Sequence, residues 1–114
     1  MKIRRIAELL DAEALCCEEL LDEEVLSACG SDMMSDVLAY VKDQAVLLTG
    51  LVNPQVVRTA MMMDMRCLVF VRSKRPSQDM IALAKENHIA VLCTQNRMYE
   101  ACGMLYAAGL GNGE

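Results

Sequence analysis

The chain has 114 residues, 54% of them hydrophobic and 24% charged, with a formal net charge of −5. That length and balance suit one packed domain over residues 1–114 and argue against wholesale disorder. The acidic surplus excludes a nucleic-acid binder, which needs a concentrated basic face to displace counterions.

No apolar run approaches the ~18 residues of a membrane span. The opening "MKIRRIAELLDAEAL" has charges on both sides of a short helical pattern instead of a signal-peptide core. A cytoplasmic protein with reduced thiols is expected.

Taken in chain order, Ile3, Ile6, Ala7 and Leu10 recur at helical spacing and predict an amphipathic helix. Glu13 to Cys17 reads as a short strand, Glu18 to Asp22 as an exposed acidic stretch, and Val25 to Cys29 as a strand closed by Gly30. In "GSDMMSDVLAYV", Ser31 or Asp32 is placed to cap a helix whose Met34, Val37, Leu38 and Val41 fall on one face. From there the pattern turns regular. "QAVLLT", "RCLVFV" and "IAVLCT" are strands too continuously apolar to have a wet face. Each leads into a helix: "NPQVVRTAMMMD" with Asn53 as cap and Pro54 at its first position, "SQDMIALAKEN" ending at a left-handed Asn87, and "NRMYEACGMLYAAGLG" capped by Asn96 and stopped by Gly109 and Gly111. Three strand–helix units with short connections imply right-handed crossovers and parallel strands. The fold class is α/β, a three-layer α/β/α single domain with a mainly parallel central sheet.

Ligands of such sheets sit beyond the carboxyl ends of the strands, at the loops leading into helices. Three loops qualify: Thr49-Gly50 to Asn53, Arg72-Ser73-Lys74-Arg75-Pro76-Ser77, and Thr94 to Arg97. Free amides at the following helix N-termini and the cations of the middle loop make an anion site, with Thr49, Gly50, Asn53, Arg72, Ser73, Lys74, Thr94 and Asn96 as candidate ligand-binding residues. The plainer reading is a set of solvated corners. The Thr-Gly loop lacks the second glycine and the Gly-Lys-Ser/Thr ending of a phosphate-binding P-loop.

No catalytic set assembles. His88, the one histidine, falls at the opposite end of the sheet from the three loops, and Asp32 and Asp36 are explained by capping and exposure. Neither enzyme activity, a cofactor nor a metal is expected. Of the six cysteines, Cys67 and Cys93 read as small core hydrophobes, while alternation sends one of Cys16 and Cys17 inward and the other to solvent. The run "MMMDM" offers Met61, Met62, Met63 and Met65 either to the core or to a subunit interface, because unbranched thioethers pack adaptably.

The stretches "GSDMMSDVLAYV", "LLTGLVNPQVVRTAMMMDMRCLVFV" and "KRPSQDMIALAKENHIAVL" together resemble the DRTGG-domain family. These are small α/β modules found in some CBS-domain-containing inorganic pyrophosphatases, in longer phosphate acetyltransferases and as free-standing bacterial proteins. Their fold is similar to the N-terminal domain of HPr kinase/phosphorylase. The literal Asp-Arg-Thr-Gly-Gly string is absent, and Arg72-Ser73-Lys74 stands where many members carry glycine, so side chains fill space that glycine would leave. The resemblance implies a non-catalytic regulatory or self-associating module, expected as a homodimer with an unidentified protein partner. The alternative is a sensor taking a nucleotide or phosphorylated metabolite, an anionic small molecule, at the C-terminal edge of the sheet.

Overall fold

The computed structural model describes residues 1–41 and 44–111. Its elements run α1 (Ile3–Leu10), β1 (Glu13–Cys16), a 3₁₀ turn (Glu18–Leu20), β2 (Ser27–Gly30), α2 (Met34–Tyr40), β3 (Ala45–Thr49), α3 (Pro54–Met62), β4 (Cys67–Phe70), α4 (Gln78–Glu86), β5 (Ala90–Cys93) and α5 (Met98–Ala107). The five strands form one sheet in the order β1-β5-β4-β3-β2. β2 to β5 are parallel, and β1 closes the β5 edge antiparallel. α1 and α5 pack together on one face; α2, α3 and α4 line the other, so the sheet is the middle of three layers.

Burial explains the strands. Every residue of β3, β4 and β5 is buried, as parallel strands covered on both faces require. On α1, the helical stripe of Ile3, Ile6 and Leu10 is fully buried. These residues belong to a single core cluster with Leu47, Leu68, Phe70 and Leu92.

Local chemistry departs from expectation at several ends. The β2 ladder covers Ser27–Gly30; Val25 lies before it and exchanges backbone bonds with Met1. The cap residue of α2 is Met33, with no side-chain cap bond, because the Asp32 carboxylate reaches across to the end of β3. Leu38 is 42% exposed, while Met34 and Val37 are buried. Asn53 and Ser77 do cap, accepting from Gln55 N at 2.8 Å and Met80 N at 3.3 Å. The left-handed residue after α4 is His88 (φ 55°), not Asn87, whose side chain instead donates to the Leu83 carbonyl. Cys16 and Cys17 are both buried, since a bulge in β1 and a left-handed Cys17 (φ 58°) break the alternation.

Candidate functional site

Because β3, β4 and β5 run parallel, with Thr49 beside Phe70 and Phe70 beside Cys93, the corners that follow them gather along one rim. The rim divides into two unlike halves.

At the β3 corner, the Asp32 carboxylate accepts from Gly50 N–H at 2.7 Å and from the Thr49 hydroxyl at 3.0 Å, and its other oxygen lies 3.6 Å from the Arg72 guanidinium. Thr49 Oγ1 in turn accepts from Leu51 N–H. Three donors of the kind that hold an anion therefore converge on a carboxylate of the same chain. The guanidinium lies directly over Gly50: a Cβ there would come within 2.0 Å of Arg72 Nη2. Asp32 is the residue that sequence reasoning missed here, having assigned it to a helix cap. The available signal was its place just beyond one parallel strand, beside the Thr-Gly end of the next.

Beyond β4, Arg72 and Ser73 both have φ of 58°, and Lys74 N–H donates to the Val71 carbonyl at 3.1 Å. This is the backbone pattern of a type I′ turn, for which glycine or asparagine is the usual choice. Arg72 N–H donates to the Asn96 carbonyl at 2.8 Å and Ser73 N–H to that of Thr94 at 3.0 Å. The amides of this turn thus have acceptors inside the chain. What faces solvent at this turn is the side chains of Arg72, Ser73 and Lys74.

The β5 corner points inward. The Thr94 hydroxyl (2.7 Å) and the Asn96 amide (3.0 Å) both donate to the Leu10 carbonyl at the end of α1. Thr94 Oγ1 also accepts from Asn96 N and Nδ2, so Asn96 braces the corner and does not cap α5, whose cap residue is Arg97. Alongside runs a groove of about 240 Å³ lined by Thr94 together with Asp11, Glu13, Ser73, Arg75, Cys93 and Gln95. Arg75 forks onto both oxygens of Glu13 at 3.2 and 3.3 Å, holding that carboxyl below its usual range. Burial pushes the Cys93 thiol up, against the pull of Arg75. Of the predicted residues, then, the structure joins Thr49, Gly50 and Arg72 around Asp32. Thr94 and Asn96 turn away into the fold, Asn53 serves as a helix cap, and Ser73 and Lys74 stand exposed between the two halves.

A second cleft, about 500 Å³, opens at the other end of the strands among Lys2, Asp22, Glu23, Glu24, Gln44 and Arg66. Two of its carboxylates are paired, Glu23 with Arg66 at 2.6 Å and Asp22 with Arg4 at 3.1 Å. His88 lines a neighbouring hollow with Asp64 and Met65 at that same end, far from the rim.

The methionines of the α3 end divide. Met65 is 4% exposed and belongs to the core, so its assignment to a surface interface is corrected. Met63 is half-buried, and Met61 and Met62 are exposed, Met62 at 72%. A broader apolar surface lies on α5. Ala101 and Leu105 face the sheet, yet Tyr99 (89% exposed) and Tyr106 (75%) project outward, and Glu100 is the only charged residue in the helix. Helices of this composition are ordinarily covered on all sides.

Comparison with curated proteins returns no match. Among solved structures, the chain is similar to the CBS and DRTGG domains of the regulatory region of Clostridium perfringens pyrophosphatase, crystallised with the activator diadenosine tetraphosphate. The TM-score is 0.72 at 19% identity, over 91% of this chain and 45% of that one. The chain thus spans less than half of that structure, and the likeness is one of fold. The DRTGG domain pattern matches residues 5–108, nearly the whole length, and the chain belongs to the DRTGG domain family.

Proposed function

We propose that this chain is a non-catalytic regulatory module, cytoplasmic, that acts by self-association. The carrying observation is the outward face of α5, where two tyrosines are left in water on a helix with a single charge. Contiguous exposed apolar surface of this kind marks an interaction site. The absence of turnover is supported by the rim itself: its carboxylates Asp32 and Glu13 are engaged by Arg72 and Arg75, and the one histidine sits at the far end of the sheet. Sedimentation velocity tests the reading. The wild type is expected to shift toward dimer with rising concentration, and Tyr106→Glu to remain a folded monomer; a wild type that stays monomeric at every concentration overturns it.

A second reading, a sensor for a nucleotide or phosphorylated metabolite, is favoured by the donors converging on Asp32, and the pyrophosphatase region of like fold was crystallised with diadenosine tetraphosphate. An anion would enter where the Asp32 carboxylate now lies. A thermal-shift series with that nucleotide and with pyrophosphate tests it. Ligand at 100-fold its dissociation constant stabilises by about 2.7 kcal/mol, and Arg72→Ala is expected to abolish the shift.

A further inference from the structure

Gly103 lies in the middle of α5 with no reason for being glycine inside its own chain. A Cβ at Gly30 would press to 2.6 Å from Cys102 Sγ and one at Gly50 to 2.0 Å from Arg72, whereas a Cβ at Gly103 meets nothing within 4 Å, and its backbone is ordinary helix. Glycine in a helix interior is unfavourable relative to alanine, so the position carries a penalty that nothing among the described residues offsets. Close approach by another backbone is the usual use of such a residue.

Its surroundings indicate which backbone. With 3.6 residues per turn, Tyr99, Gly103 and Tyr106 share one outward stripe. The midpoint between the two tyrosines falls at Cys102/Gly103, so an antiparallel copy centred there sets each Tyr99 against the other's Tyr106. A contact in which one residue meets a second and the second meets the first in return is what a two-fold interface requires. The chain as a whole carries −5, and a stripe without charge is where two like-charged copies approach with least repulsion.

We infer that α5 pairs antiparallel with α5 of a second copy across a two-fold axis beside Gly103, so that Tyr99 meets the partner's Tyr106 and the glycines lie at the crossing. This rests on the self-association reading and gives it a place and a geometry. Tyrosines bury on the order of 150–250 Å² each, so at the exposures above the two offer about 300–400 Å² per copy, or about 700 Å² for the pair. With the flanking atoms that approaches the ~1,000 Å² at which specific interfaces begin, which suits a reversible dimer.

Two variants test the geometry. In the full chain, Gly103→Gln places a good helix former on the stripe. Its thermal midpoint is expected to hold or rise while dimerisation, followed by sedimentation, weakens at least about tenfold; an unchanged association constant overturns the pairing. Gly103→Cys is expected to give disulfide-linked dimers under mild oxidation on non-reducing gels. The wild type, whose own thiols are buried or half-buried, stays unlinked, and Met62→Cys on α3 links no more than background. A wild type that dimerises while Met62→Cys links and Gly103→Cys does not would leave self-association standing and overturn the α5 interface. A wild type monomeric throughout overturns both.

Discussion

Asp32 shows how much one side chain can decide at the residue scale. Its carboxylate ties the start of α2 to the end of β3 through two hydrogen bonds and an ion pair with Arg72. Asp32→Ala leaves the Gly50 amide and the buried Thr49 hydroxyl without this acceptor, and the loss expected in a urea titration is about 1–3 kcal/mol. Asp32→Asn keeps an acceptor oxygen and should lose less. If the two variants are equally destabilised, charge and not hydrogen bonding holds the corner. Gly50 belongs to the same unit. An added Cβ displaces the flexible end of Arg72, not backbone, so Gly50→Ala should cost under about 1 kcal/mol and, in a double-mutant cycle, be largely non-additive with Arg72→Ala.

Elements were legible in the sequence to the extent that one period governed them. The three continuously apolar runs became β3, β4 and β5, and the Asn-Pro signal became the start of α3. What was not legible depended on partners distant in sequence. Asp32 looks like a cap until β3 stands beside it, and Asn96 looks like a cap until the Leu10 carbonyl, 86 positions earlier, is in reach. Cys17 looks solvent-facing until the bulge turns it inward. The turn after β4 adds a prediction of its own. Two successive non-glycine residues at φ 58° are strained, so Ser73→Gly should raise stability by about 0.5–1 kcal/mol, read from the shift in denaturation midpoint at constant m-value. Strand β1 depends on a pH-sensitive anchor. Arg75 lowers the Glu13 pKa from 4.5, so the pair's contribution is complete above that value and fades as pH falls through the lower folded one. Arg75→Gln should flatten the acid limb of the melting-temperature profile, and an unaltered limb would assign it to other carboxylates.

At the scale of the whole molecule, burial raises the pKa of every one of the six cysteines, Cys16 to about 12. Thiolate is the reactive form, so the native protein near pH 8 should react slowly with a chromogenic disulfide reagent. Cys67, fully buried in β4, is expected last, and all six react at once in denaturant. Immediate reaction of all six in buffer would mean a far more open fold. The antiparallel edge has a further consequence for biosynthesis. Among the described residues β1 has one ladder partner, β5, and it is made some 75 residues later. Until then β1 has no strand to pair with, although residues 1–4 can already bond to the backbone of residues 21–25 and β2, β3 and β4 can assemble in order. The growing chain therefore carries an edge strand that locks last, and removing β1 would bare one flank of β5 to strand-templated clumping.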